Sequence, residues 1–157
     1  MKLLQGIPVS PGVVIGRAMV LEKSLHRVPF LILSKDEIPA ELERFDVAVR
    51  KSQNEVIHDR DEVAASLGDE PAKIFDFHLG LLQDATLIEP IRTRIENEGV
   101  NAAFAVVEAF GKLADKFRTM DNRVFREKAN DVFDLERRLM NQLTGGSKDR
   151  LASVDEP

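Results

Sequence analysis

The chain has 157 residues, 43% hydrophobic and 31% charged, a composition that folds as a single domain with a substantial core. Lys and Arg number 22 against 27 Asp and Glu, and the resulting net charge of −5 excludes nucleic acid as a main partner, because such binders need a concentrated basic surface. There is no cysteine, which excludes disulfides and thiolate metal sites, and no apolar run of about 18 residues, which excludes a membrane-spanning helix.

The first residues, MKLLQGIPVSPG, are too short and too interrupted by Gly and Pro for a secretory leader, so a cytoplasmic protein is expected. Residues 13–21 read as a strand. Val14, Gly16, Ala18 and Val20 fall on one face, and Val13, Ile15, Met19 and Leu21 on the other, interrupted by Arg17. A strand apolar on both faces needs neighbours in a covered sheet. The other candidate strand is 28–33, which Pro29 restricts to an edge position. Two short strands do not make an independently stable sheet.

At Ser34 the period changes. Ile38, Leu42, Phe45, Val49, Ser52, Val56, Val63 and Leu67 follow 4-3-4-3 spacing, with Asp59 at one site where an apolar residue is expected. This predicts one amphipathic helix of roughly 28 to 34 residues, about 45 Å long. Ser34 and Glu37 fit a capping box, but a start there places Pro39 inside the helix, so the N-terminus is ambiguous. Gly68 ends the helix. Asp69-Glu70-Pro71 opens a short helix through Phe75, His78, Leu81 and Leu82. Asp84 caps residues 85–98, which Pro90 is expected to kink and Gly99 to end. Asn101 caps a helix to about Arg118, with Phe104, Val107, Phe110, Ala114 and Phe117 on one stripe. After a turn at residues 120–122, a last helix from Val124 to Leu143 turns Phe125, Val132, Leu135, Leu139 and Leu143 inward, and Gly145-Gly146 stops it. The pattern predicts a mostly α protein: an antiparallel helical bundle preceded by one or two orphan strands. Short connections favour antiparallel neighbours.

No catalytic set emerges. His26, His58 and His78 are the only histidines, with no H-E-x-x-H and no metal-ligand spacing; no serine lies in G-x-S-x-G, and no Gly-rich loop opens a helix. No catalytic, cofactor-binding or metal-binding residue is therefore assigned. The informative stretch is IFDFHLGLLQDATL around His78. A 3.6 period cannot place Phe75, Phe77, Leu79, Leu81 and Leu82 on one inner face. Either some of them face outward with His78 as a docking surface, or the stretch packs inside the broken helix pair.

Four stretches in order, GIPVSPGVVIGRA, ELERF, IFDFHLGLLQD and EKANDVFDLERRLMNQLTG, together resemble the N-terminal part of enzyme I, the phosphoenolpyruvate–protein phosphotransferase of the bacterial sugar phosphotransferase system. The resemblance extends from about Gly6 to Leu151. It implies an N-terminal strand segment of an incomplete phosphohistidine domain (1–33), a helical domain that docks the phosphocarrier HPr (34–145) and a truncated linker (146–157). The family's phosphorylated histidine sits in a G-G-x-T-S-H motif beyond this stretch, and its Mg²⁺- and phosphoenolpyruvate-binding barrel lies further on. The resemblance thus implies that the 157 residues alone bind no cofactor, transfer no phosphate and, lacking the family's C-terminal dimerisation part, are monomeric.

By the same resemblance, the partner-binding positions are Glu70, His78, Leu81, Leu82, Asp84 and Leu87, with Lys128 and Asp131 on the last helix. Acidic groups there would speed association with a basic rim on HPr, and apolar residues such as Leu82 would supply contact energy. The chain departs from the family at Lys128, where arginine is common, at Ala85 and Thr86, which are often acidic, and at Gly80, which is usually larger. An alternative reading is a non-enzymatic helical adaptor or decoy that binds HPr or a nitrogen-related paralogue of it.

Overall fold

The computed structural model describes residues 28–145, and these form five helices in sequence: α1 (Ile38–Leu67), α2 (Asp69–Gln83), α3 (Ala85–Glu98), α4 (Ala102–Arg118) and α5 (Arg123–Leu143). The ambiguity at the start of α1 has a local resolution. The Ser34 N–H and hydroxyl both donate to Glu37 Oε2 at 2.8 Å, and the Glu37 N–H donates back to the Ser34 carbonyl at 3.0 Å. This closed turn stands ahead of the helix. The first helical residue is Ile38, so Pro39 falls in the first turn, where a missing N–H costs nothing.

Single residues separate the first three helices. Gly68, at φ 90°, lies between α1 and α2, in a backbone region that disfavours any side chain. Asp84 lies between α2 and α3, and its carboxylate accepts from the Thr86 N–H and hydroxyl, each at 2.8 Å. Such short joints fold each helix back on its neighbour. Gln53 of α1 donates to the Leu82 carbonyl of α2 at 2.8 Å, while Arg60 approaches Asp76 at 3.9 Å, so the two helices run antiparallel. The α1–α5 pair is antiparallel too. Arg44 near the start of α1 donates to the Leu143 carbonyl at the end of α5, and Arg138 reaches Asp59 at 2.6 Å and Glu55 at 3.4 Å. Asp59, the polar interruption in the apolar stripe of α1, is thereby matched by a cation on the helix it faces.

The core forms where all five helices meet: Phe45 and Val56 of α1, Leu82 of α2, Ile91 and Ile95 of α3, Val106 and Phe110 of α4, and Val132, Leu135 and Leu139 of α5 are all buried. Leu67, the last apolar residue of the α1 stripe, is 70% exposed because it stands at the tip of the α1–α2 hairpin, beyond the core.

The expectation of orphan strands is not met. Among the described residues there is no β-strand; the candidate at 28–33 makes one isolated antiparallel bridge, Ile32 with Val100. The partner segment is too short for more, since only residues 99–101 separate α3 from α4. The candidate at 13–21 lies outside the described residues. Asn101 occupies the N-cap position of α4, but its side chain does not cap it. Asn101 Oδ1 accepts from the Leu31 N–H at 3.1 Å, and the orphan N–H of Ala102 is taken by Glu41 of α1 at 2.6 Å. Phe125, expected to face inward, is 44% exposed in the first turn of α5.

Candidate functional site

Helix α2 carries four of the eight candidate positions, and its two sides enter different surroundings. On the side facing α5, His78 is half-buried between Phe75 and Phe77, with ring centroids 6.2 and 6.1 Å away. Its Nε2 is shielded from solvent and has no hydrogen-bond partner among the described residues. Burial pushes the imidazole pKa below its usual value; Asp131 opposes that shift, Arg138 and Lys128 reinforce it, and Asp134 opposes it. His78 is therefore a neutral imidazole at neutral pH.

Lys128 and Asp131 form one unit beside it. The Lys128 ammonium donates to Asp131 Oδ2 at 2.8 Å and lies 4.7 Å from the Phe77 ring centroid, in cation–π contact. Both charged side chains are about a quarter exposed, at 28% and 26%. Phe77 continues outward to Phe117 of α4 at 6.2 Å, and Phe117 stacks on Phe125 at 6.1 Å with an interplanar angle of 6°. A ladder of aromatic rings thus runs from the buried imidazole to the exposed first turn of α5.

On its other side, the C-terminal end of α2 meets α3 and α4 around an open groove of about 370 Å³. Leu81, Leu87, Pro90, Ala109 and Leu113 supply apolar lining; Asp84, Thr86, Arg94, Lys112 and Lys116 supply the polar part. Arg94 is tied to Glu98 and Glu108, and Lys112 pairs with Glu108 at 2.6 Å. Asp84 remains ionised, since its hydrogen bonds from Thr86 hold the carboxyl below the usual range.

The structure thus divides the eight sequence-derived positions. His78, Lys128 and Asp131 come together on the α2–α5 side, and Leu81, Asp84 and Leu87 line the groove. Glu70 stands apart in the first turn of α2, exposed and ion-paired with Lys73 at 2.5 Å. Leu82 points into the core and is 1% exposed, so it offers no surface to a partner; Leu81 and Leu87 show only their edges, at 9% and 7%. The groove residues Lys112 and Lys116 are not among the sequence-derived positions, and Phe117 and Phe125 enter there only as apolar stripe residues, not as part of a surface. The lysines are four apart on α4 and flank its apolar stripe, a legible signal.

Among the described residues, no three His, Asp or Glu side chains converge to hold a metal ion. His58 is exposed on α1 beside Glu62 at 3.4 Å, and His26 lies outside the described residues. No described helix is long and apolar enough to cross a membrane.

Comparison with known proteins adds an independent line. The family model described as PEP-utilising enzyme, N-terminal, matches residues 5–128. The chain is 37% identical over 147 residues to the phosphoenolpyruvate-protein phosphotransferase of Priestia megaterium, aligning 92% of this chain with 25% of that protein. With the protein of the same name from Staphylococcus aureus it shares 33% over 159 residues, aligning 99% of this chain with 27% of that one. The chain therefore spans about a quarter of the length of these curated relatives. Among solved structures, the N-terminal domain of Enzyme 1 - Nitrogen superposes with a TM-score of 0.70 at 27% identity, covering 76% of this chain and 49% of that one. An NMR solution structure of Enzyme I superposes with a TM-score of 0.69 at 26% identity, covering 74% and 47%.

Proposed function

We propose, from the premise that this chain belongs to the PEP-utilising enzyme family and corresponds to the N-terminal part of the phosphoenolpyruvate–protein phosphotransferases, that its helical bundle docks the phosphocarrier HPr. Phosphate is passed onward to HPr by other parts of such an enzyme, and this segment contributes recognition rather than chemistry. The observation that supports the reading is the groove between α2, α3 and α4, which gathers Leu81, Asp84 and Leu87 around an open apolar depression. A groove of that kind accepts an apolar ridge of a partner while exposed carboxylates such as Asp84 and Glu70 guide a basic rim. Contact energy comes from the apolar lining of the groove and from the Phe77–Phe117–Phe125 ladder, since Leu82 is enclosed. The setting is cytoplasmic, as expected for a carrier-linked sugar uptake system.

The test is a titration of the ¹⁵N-labelled chain with HPr. Resonances of residues lining the groove shift, and Asp84→Lys together with Glu70→Lys weakens binding by about tenfold or more. Shifts absent from the groove, or affinity unchanged by both substitutions, would refute the reading. The companion test incubates the chain with phosphoenolpyruvate and Mg²⁺; its intact mass stays unphosphorylated.

A further inference from the structure

The groove between α2, α3 and α4 is lopsided in its apolar surface and in its charge. Leu81 and Leu87 are buried except at their edges, whereas Pro90 is exposed and Ala109 and Leu113 are half-buried. The apolar surface open to a partner therefore lies on α3 and α4. Lys112 and Lys116 are exposed and line the groove on that side. Residues three and four apart share a helix face, so Ala109, Lys112, Leu113 and Lys116 form one strip of α4. A ridge seated on Ala109 and Leu113 runs past both lysines.

The cations of this wall outnumber the carboxylates that answer them. Arg94 is tied to Glu98 and Glu108, and Glu108 is shared with Lys112 at 2.6 Å. Lys112 is 71% exposed in that pair, where an ion pair holds its charge only loosely. Lys116 stands one turn further on. The last turn of α4 suits a cation on helix-dipole grounds, but Arg118 lies there as well. Asp84, the carboxylate in the groove lining, is engaged by Thr86 and forms no ion pair with either lysine. The opposite charges of the groove are thus left unjoined across it.

We infer, resting on the reading that this groove docks HPr, that Lys112 and Lys116 select a carboxylate on the carrier. The carrier's contact edge is then two-signed, with a base toward Asp84 and an Asp or Glu toward α4, on either side of its apolar ridge. A ridge with bases on both flanks meets Lys112 and Lys116 with like charge, and the groove rejects it. The same pattern fixes which way round the ridge lies, because exchanging its flanks sets like charges together at both walls. The net charge of −5 attracts any basic protein from a distance, and the lysines add discrimination at contact.

The experiment measures the Kd of HPr for the whole chain by calorimetry, with Lys116→Glu and Lys112→Glu as variants and Lys51→Glu, exposed on α1 outside the groove, as the control. Each substitution makes the chain more acidic, so a uniformly basic carrier would bind all three more tightly. Instead, Lys116→Glu and Lys112→Glu are each expected to weaken binding about tenfold, with no weakening by Lys51→Glu. Reversing the carboxylates of HPr to Lys one at a time is expected to find one that restores affinity for Lys116→Glu. Circular dichroism checks the helices. Lys112→Glu sets a like charge beside Glu108; if it loses helicity, Lys116→Glu, which gains Lys112 as an i,i+4 neighbour, decides alone. Affinity unchanged or raised in Lys116→Glu, equal weakening by Lys51→Glu, or the lack of any restoring carboxylate on HPr would overturn the inference while leaving docking in the groove intact. Failure of the parent chain to bind HPr would remove the docking reading and the inference with it.

Discussion

Lys128 holds its ammonium 4.7 Å from the Phe77 ring centroid while donating to Asp131, and this pair sits beside His78, whose Nε2 has no hydrogen-bond partner among the described residues. The two charges bias His78 in opposite senses: Asp131 favours its protonated form and Lys128 disfavours it, both weaker than the effect of burial. Lys128→Gln is therefore expected to raise the His78 pKa, and Asp131→Asn to lower it further. An NMR titration of the imidazole C–H resonance reads both; shifts of the same sign in the two variants would show that the pair does not control His78.

Glu41 is a cap lent by one helix to another. Its carboxylate on α1 accepts the Ala102 N–H at the start of α4 and is held there by Arg44 at 2.5 Å. Replacing it by Ala leaves that N–H unpaired in a buried joint and removes a negative charge from a helix N-terminus. The expected loss is about 1 to 2 kcal/mol, measured by urea unfolding. Asn101→Ala acts through a different bond, the anchor of Leu31, and should loosen residues 28–33 while sparing α4.

Ser52 presents the opposite case. It lies on the inner stripe of α1, fully buried, and its hydroxyl has no hydrogen-bond partner among the described residues. Ser52→Ala removes an unsatisfied polar atom and improves helix propensity, so a gain of up to about 1 kcal/mol is expected. A clear loss of stability in the same unfolding measurement would mean the hydroxyl is bonded in solution.

The five helices and their joints follow from periodicity and from glycine, proline and capping signals, which act over a few residues. What periodicity cannot convey is which helix faces which. Asp59 interrupts the α1 stripe without explanation until Arg138, far along the chain, is placed opposite it. Asn101 has the right position and chemistry for a cap, yet a carboxylate from α1 takes that role and frees the side chain for Leu31. At the candidate site the sequence marks the neighbourhood of His78, but period alone turned Phe125 inward where the structure exposes it, and the resemblance that names Leu82 as a docking position carries no information on its burial in the core. Periodicity over a few residues does not fix which of several neighbouring apolar positions a packed helix covers.

Glu136 on α5 gives the fold a pH dependence. Burial raises its pKa from 4.5 to about 7. The folded state then binds the proton more tightly than the unfolded chain, so its contribution makes stability fall as pH rises through that window, constant above and below it. Glu136→Gln should be more stable than the parent by about 1 to 2 kcal/mol at about pH 8, allowing for the partial exposure of the carboxyl, and no more stable at about pH 4. His78 works in the other direction. Its pKa is lowered on folding, so its contribution is present above the usual histidine value of 6.5 and is lost as pH falls through the folded value. Thermal melts of Glu136→Gln across this range isolate the carboxyl; a parallel pH profile in parent and variant would refute its role.

Arg44, in the second turn of α1, touches the last carbonyl of α5. The route into the bundle and the route out of it are therefore side by side, although nearly the whole described chain lies between them. A unit with this geometry resembles a closed loop of rope: its doorway is narrow, and a host structure can give it up or take it in without moving apart. The same closure means the order of the helices is not essential to their packing. Joined across the doorway and reopened at the turn between α4 and α5, the five helices should assemble on the same core in a new sequence order.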